Sequence, residues 1–145
     1  MLKLLFRLFG RFLGRFIDTD RLSDSFPVSA KAIIREHNKV LLLLNERGQW
    51  DFPGGKLKMK SDIESTLIEE VKEETNLSVK IGPLIYLKKH LVYRTEVIVV
   101  IYKAENIGIE PIYISHEHFK YNFFELAEIE KMNVPEWVAK TLHSH

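Results

Sequence analysis

The spacing of apolar residues divides the chain into a short basic helix and a longer mixed body. Between residues 2 and 17, leucine, phenylalanine and isoleucine recur at helical spacing and fall on one broad face, which predicts an amphipathic helix. The opposite face carries a basic residue at every fourth position: Lys3, Arg7, Arg11 and Arg15. A polar connector follows. We therefore divide the chain into residues 1–26, the helix with its connector, and residues 27–145, a folded domain.

The body alternates between strand-like and helix-like patterns. Residues 30–35 and 40–45 are apolar runs joined by a short polar turn, which predicts a hairpin. Residues 79–91, 96–104 and 119–124 predict three further strands. A helix is predicted from Ser61 to about Thr75, with Ser61 and Glu64 as a capping box, and a closing helix is predicted to begin at Pro135. This mixture predicts an α/β or α+β domain.

Composition and charge narrow the class of protein. The chain has 145 residues, of which 46% are hydrophobic and 28% charged, which fits one globular domain and excludes disordered and fibrous classes. The absence of cysteine excludes disulfides, thiolate nucleophiles and cysteine-ligated zinc. Four basic residues and no acid lie in residues 1–17, so the net charge of +1 leaves −3 for the remainder. A net negative body without a basic stripe argues against nucleic-acid binding.

An acidic helix is the main candidate for chemistry. Glu70 lies three residues before Glu73 and four before Glu74, so these side chains converge on one side of the predicted helix, where like charges repel. A divalent cation removes the repulsion, and carboxylate oxygens are ligands that Mg²⁺ and Mn²⁺ prefer. Gly54 and Gly55, before the helix, allow close approach of the backbone to a ligand. From the residues alone, a solvated acidic helix face is the alternative.

The segment from Gly55 to Leu77 resembles the Nudix box, the loop–helix–loop signature of the Nudix hydrolases (MutT-like pyrophosphohydrolases). The matching positions are Gly55, Glu70, Val71, Glu73, Glu74 and Leu77, and the preceding residues 50–54 are also similar to the family. The resemblance implies the Nudix fold, an α/β/α sandwich around a mixed β-sheet. The N-terminal amphipathic helix would be an addition to that fold.

The resemblance also implies an activity and the residues that carry it. The expected reaction cleaves the diphosphate linkage of a nucleoside triphosphate or other nucleoside diphosphate derivative by water attack on phosphorus, with Mg²⁺ (or Mn²⁺) as cofactor. Glu70 and Glu74 are the expected principal metal ligands, Glu73 a further ligand or base, and the Gly55 backbone completes the metal site. Glu117 is our candidate for a second acidic catalytic residue outside the box.

Other candidate residues lie outside the box. Arg47, Tyr93 and Arg94 are candidates for binding a phosphate or a base, although residues of these types are more often simply surface or packing residues. His116 and His118 flank Glu117, but two histidines at this spacing in a loop are usually incidental, and we do not expect a zinc site.

Three positions depart from the family pattern. Ser61 replaces a glutamate, Asn76 replaces a glycine and Glu69 replaces the arginine that precedes the first metal-binding glutamate. Asn76 tolerates the left-handed conformation that a helix end requires. Glu69 is the serious departure, because the family arginine is expected to hold a catalytic glutamate in place. Either Lys72 or a basic residue from elsewhere substitutes for that arginine, or the site binds metal more loosely.

Glu69 therefore keeps two further functional hypotheses open beside a hydrolase. One is a Nudix-fold nucleotide-binding or sensor domain with weak or no catalysis. The other is a membrane-active peptide fused to an inert domain, for which the glutamates would be dispensable.

The helix predicted for residues 2–17 has three interpretations. An apolar face opposite a basic face is typical of a peripheral anchor on an anionic membrane. The same apolar face would also be buried by docking on the domain or on a second subunit. An arginine-rich, acid-poor segment is further typical of a mitochondrial transit peptide, although serine is scarce here. We expect a cytoplasmic protein, peripheral at the membrane if the first interpretation holds.

Overall fold

The computed structural model describes residues 27–144. The amphipathic helix and connector predicted for residues 1–26 lie outside the described residues, so their structure and the proposed domain boundary stay predictions. The elements follow the order β1 (Val28–Glu36), β2 (Lys39–Asn45), β3 (Trp50–Asp51), β4 (Gly54–Lys56), α1 (Ile63–Thr75), β5 (Val79–Val92), β6 (Thr95–Asn106), β7 (His118–Phe124), α2 (Leu126–Ile129) and α3 (Glu136–Ser144).

The strands form one mixed sheet. Over the described residues it has seven strands along the path β3-β2-β1-β6-β5, with β4 added to β1 and β7 added to β2. Strands β1 and β6 are parallel, and the other pairs are antiparallel. The predicted hairpin of β1 and β2 is confirmed, with His37 in its turn at a φ of 54°. Strands β5 and β6 form a second, longer hairpin that turns at Tyr93 and Arg94.

Helices cover both faces of this sheet because its central strands are apolar on both sides. Along β2, Leu41 and Leu43 belong to one core, while Val40 and Leu42 belong to the other. Successive side chains of a strand point to opposite faces, which is why the run is continuously apolar rather than alternating. Helix α1 packs on the first core, whereas α2 and α3 pack on the second. The predicted α/β/α sandwich is confirmed.

The N-cap of helix α1 lies one residue later than predicted. Asp62 is the N-cap, and its Oδ1 accepts a hydrogen bond from the Ser65 backbone N–H at 2.8 Å. The Ser65 hydroxyl donates to the other Asp62 oxygen, also at 2.8 Å. The predicted capping box of Ser61 and Glu64 is therefore wrong, because the carboxylate of Asp62 already satisfies the free N–H group at the helix start.

The buried side of α1 agrees with the predicted apolar stripe except at one position. Leu67, Val71 and Thr75 are fully buried, but Ile68 is 40% exposed. Asn76 ends the helix in the left-handed conformation, with a φ of 65°, as its substitution for glycine predicts.

The shortest elements were not predicted from the sequence. Strands β3 and β4 are two and three residues long, and α2 has four residues. Segments of this length carry no readable periodicity, and β4 exists because it pairs with β1. Within residues 27–144, no helix is both long and apolar enough to cross a membrane.

Candidate active site

The glycine loop is held closely against both β1 and the acidic helix. Gly54 pairs with Lys31 and Gly55 with Ala30. Gly54 has a φ of +134°, and a Cβ there would overlap the Ala30 carbonyl oxygen. A Cβ on Gly55 would lie 2.5 Å from Glu70 Oε2. The two glycines thus bring the backbone directly against a carboxylate of the acidic helix.

Glu74 is the buried carboxylate of the site. It is 6% exposed, and its Oε2 accepts a hydrogen bond of 2.8 Å from the Gly54 backbone N–H. Burial raises the pKa of Glu74 from 4.5 to about 7, although the charge of Lys31 and the Gly54 N–H oppose this shift. Near neutral pH, the metal-free Glu74 therefore carries a proton for a large part of the time.

His118 lies beside Glu74, at the start of β7. Its Nε2 is 3.7 Å from Glu74 Oε1, and its side chain is 13% exposed. Burial, followed by the charge of Lys31, lowers the pKa of His118 below its usual value of 6.5. The imidazole is therefore mainly neutral at pH 7.

Lys58 neutralises the more exposed part of the acidic helix. Its Nζ lies 3.2 Å from Glu70 Oε1, 3.4 Å from Glu69 Oε2 and 3.4 Å from Glu73 Oε1. The side-chain hydrogen bond with Glu70 is the main cause of a raised Lys58 pKa.

Lys72 does not take this role. Its Nζ donates to the Asn76 carbonyl oxygen at 2.7 Å and lies 3.9 Å from Glu110 Oε1. The basic residue that balances Glu69 therefore comes from the loop before α1, and it is Lys58.

Most of the predicted site residues line one cleft of about 720 Å³, within the size range of ligand pockets. Among them are Arg47, Gly55, Glu70, Glu74 and Glu117, and the same cleft includes Lys31, Lys56, His116 and His118. The side chains of His116 and Glu117 are exposed at its rim.

Two predicted site residues do not line this cleft. Glu73 points outward and its side chain is 65% exposed. Tyr93 is 75% exposed, but the guanidinium carbon of Arg47, a cleft residue, lies 4.5 Å from the centre of its ring.

The candidate metal ligands of the described residues are spread out rather than gathered around one point. Over residues 27–144, no three acidic or histidine side chains are close enough together to hold a metal ion. The chemistry of the donors still fits a hard divalent cation, because Glu70 and Glu74 share the cleft with the Gly55 backbone. The negative charge of Glu70 also raises the Glu74 pKa, and a cation would relieve that repulsion.

A polar network beneath the glycine loop was missed by the sequence analysis. Lys31 Nζ donates to the carbonyl oxygens of Phe52 and Gly54, both at 3.3 Å, and lies 3.1 Å from Asp51 Oδ2. Asp51 Oδ1 in turn accepts hydrogen bonds from the Phe52 N–H at 2.7 Å and from Trp137 Nε1 at 2.9 Å. A lysine within the apolar run of β1 is the signal that could have pointed to this network.

A comparison with protein families identifies the chain. The NUDIX domain model matches residues 25–144. The chain belongs to the Nudix hydrolase family. The segment from Gly55 to Leu77, with its glutamates, is thus an atypical Nudix box, and Nudix hydrolases generally depend on a divalent metal ion. No curated protein sequence matches the chain.

Solved structures share the Nudix fold with this chain. A MutT protein from Methanosarcina mazei has a TM-score of 0.74 at 23% identity, over 82% of this chain and 91% of the other. An ADP-ribose pyrophosphatase from Streptococcus suis has a TM-score of 0.65 at 22% identity, over 81% and 87%. An Ap4A hydrolase from C. elegans has a TM-score of 0.68 at 19% identity, over 82% and 93%.

Proposed function

We propose that this Nudix hydrolase cleaves the diphosphate linkage of a nucleoside triphosphate or other nucleoside diphosphate derivative, with Mg²⁺ (or Mn²⁺) as cofactor. The observation that carries the proposal is the charge pattern of the cleft. Glu70 and Glu74 line the cleft next to the glycine loop, and Lys31 and Arg47 line the same cleft. A divalent cation beside a phosphate chain needs both kinds of group, anionic for the metal and cationic for the phosphates.

Glu70 and Glu74 would hold the metal ion, with Glu73 as a further ligand and the Gly55 backbone completing the site. Bound there, the ion supplies neutralisation of phosphate charge and a lowered pKa for an attacking water. The hydrogen bond from Gly54 to Glu74 fixes that carboxylate in place. A side chain at position 55 would disturb the second carboxylate, because its Cβ would lie 2.5 Å from Glu70 Oε2.

Glu117 is the proposed general base from outside the box, because its carboxylate lies at the rim of the cleft and belongs to a segment separate from α1. Glu73 and Glu70 remain the alternative bases. Each of the three is a carboxylate, a group that can accept the proton of an attacking water.

Arg47 and Tyr93 are the proposed substrate-binding residues. The stacking of the Arg47 guanidinium on the Tyr93 ring holds this cation at the cleft, where it can meet a phosphate or a base. We expect Arg47→Ala to raise KM severalfold with little change in kcat. Arg35→Ala, a matched change at an exposed arginine that does not line the cleft, should leave both constants unchanged. Equal kinetics of the two variants would contradict the role of Arg47.

Incubation with a panel of nucleotides tests the activity itself. The panel contains nucleoside triphosphates, ADP-ribose and a dinucleoside tetraphosphate, because the structural relatives include a MutT protein, an ADP-ribose pyrophosphatase and an Ap4A hydrolase. Products are separated by chromatography in the presence of Mg²⁺, Mn²⁺ or a chelator. We expect metal-dependent turnover that Glu70→Gln and Glu73→Gln each lower at least a hundredfold. Glu64→Gln, an exposed change in the first turn of α1, is the matched control.

A nucleotide-binding or sensor domain is the second candidate function. The observation in its favour is the cluster itself, in which Glu69 replaces the family arginine and Lys58 lies among three glutamates. Calorimetric titration separates the two functions. Nucleotide binding without turnover of any member of the panel favours the sensor. If the protein neither binds nor hydrolyses any of these nucleotides, both proposals are contradicted.

The predicted helix of residues 2–17 is proposed to be a peripheral anchor on an anionic membrane, on the evidence of its sequence pattern alone. Flotation with anionic liposomes compares the full chain with one that starts at Ser25. Equal flotation of the two proteins would contradict the anchor and leave docking on the domain or on a second subunit, or a transit peptide, as the remaining interpretations.

A further inference from the structure

The ammonium group of Lys58 lies at the centre of an acidic cluster formed by Glu69, Glu70 and Glu73. All three carboxylates lie 3.2 to 3.4 Å from Lys58 Nζ. Lys58 belongs to the loop between β4 and α1, whereas the three glutamates belong to the last turns of α1. The cluster is therefore assembled by the packing of the loop against the helix.

We propose that Lys58 is an internal counter-cation that occupies the acidic cluster of the metal-free protein and competes with the divalent ion for Glu70 and Glu73. Lys58 thus raises the metal concentration at which the site fills. This inference rests on the proposed function, because it takes Glu70 and Glu73 as metal ligands.

The contacts of Glu70 show what the lysine blocks. One carboxylate oxygen, Oε2, faces Gly55, while the other, Oε1, is held by Lys58. Glu73 contacts the same ammonium group through its Oε1. Over residues 27–144, no three candidate ligands converge. Glu70 and Glu73 therefore share one cationic partner, and a divalent ion that binds both would have to replace it.

Two of the three ion pairs of Lys58 can be broken at low cost. The side chains of Lys58, Glu69 and Glu73 are 43%, 57% and 65% exposed, and ion pairs between exposed groups contribute little to stability. Glu70 is only 16% exposed, so its pair with Lys58 is the main one that the divalent ion has to replace. A lysine side chain is also flexible, so its ammonium group can move without the backbone. Glu69 leaves it a partner, because this carboxylate can keep the ammonium group when Glu70 and Glu73 turn to the metal.

The direction in which removal of Lys58 changes metal affinity distinguishes a competing role from a positioning role, such as that expected of the family arginine. If Lys58 only held Glu70 in place, its removal would loosen the metal site. If Lys58 competes with the metal, its removal deletes a like charge close to a dication, and metal binding becomes tighter. The expected direction is therefore opposite for the two roles.

The dissociation constant of Mn²⁺, measured from the electron paramagnetic resonance signal of free Mn²⁺, tests the inference without reference to activity. We expect Lys58→Met to lower the Kd about three- to tenfold. Lys60→Met is the matched control, because it removes the same charge from the same exposed loop, and its Kd should stay within about twofold of the wild-type value. Lys58→Arg retains the charge and should also stay close to wild type.

An unchanged or higher Kd in Lys58→Met would overturn the inference while leaving the metal site in place. Glu70→Gln distinguishes the failure of the proposed function, since it should weaken Mn²⁺ binding strongly. If Glu70→Gln binds Mn²⁺ as the wild type does, the acidic cluster is not the metal site, and both proposals are wrong.

Discussion

Replacement of Glu74 by glutamine should make the metal-free protein more stable at alkaline pH. Burial raises the Glu74 pKa from 4.5 to about 7, so the folded state disfavours the ionised carboxylate. Each pKa unit corresponds to about 1.4 kcal/mol, which gives an ionisation penalty of roughly 3 kcal/mol. Glutamine cannot ionise, and its amide oxygen can still accept the hydrogen bond from the Gly54 N–H.

The sign of this effect follows from the two pKa values. Below pH 4.5, Glu74 is protonated in the folded and the unfolded state, and its burial carries no ionisation penalty. Between pH 4.5 and about 7, the unfolded state ionises first, so the stability of the wild-type protein falls as pH rises. The full penalty is present above pH 7. The Glu74→Gln variant does not lose stability in this way. The difference in the free energy of unfolding between variant and wild type should therefore increase over the same pH range.

Urea denaturation in the presence of a chelator measures the effect. Near pH 5 the free energies of unfolding of wild type and Glu74→Gln should differ by less than about 1 kcal/mol, and near pH 8 the variant should be more stable by about 2 to 3 kcal/mol. Glu73→Gln is the control, because Glu73 is exposed and its substitution should not produce a stability difference that increases with pH. A stability gap that is the same at both pH values would refute the reasoning from burial.

Excess Mg²⁺ should stabilise wild type more than Glu74→Gln, since the proposed metal site uses Glu74.

Three further predictions concern the packing around the site. Gly55→Ala should weaken Mn²⁺ binding and lower kcat at limiting metal, because the new Cβ would lie 2.5 Å from Glu70 Oε2; a metal dependence identical to wild type would contradict this. Thr66→Val should raise the free energy of unfolding by about 1 kcal/mol in urea titrations, since Thr66 is fully buried and its hydroxyl has no hydrogen-bond partner among the described residues. Trp137→Phe should lower the free energy of unfolding by about 1 to 2 kcal/mol, because the indole N–H donates a hydrogen bond to buried Asp51. If the double variant Trp137→Phe/Asp51→Asn loses no more stability than Asp51→Asn alone, the two residues act together.

The sequence by itself determined the parts of this protein that depend on local periodicity. The hairpin of β1 and β2, the strands β5, β6 and β7, and the helix that carries the glutamates were all predicted near their observed positions. Apolar spacing encodes these elements directly, because a strand repeats every two residues and a helix every 3.6. The Nudix box is local as well, which is why Gly55, Glu70 and Glu74 could be named as candidates from the sequence.

Only the tertiary structure decided what surrounds those residues. The hydrogen bond between Trp137 and Asp51 joins residues 86 positions apart in the chain, and that between Lys58 and Glu73 joins residues 15 positions apart. Whether Lys58 or Lys72 balances Glu69 depends on how the loop packs on α1, and no local pattern records that packing. The burial that raises the Glu74 pKa is likewise a property of the assembled glycine loop, sheet and helix. The identity of the acidic residues is therefore local information, whereas their charge state and partners come from contacts between distant segments.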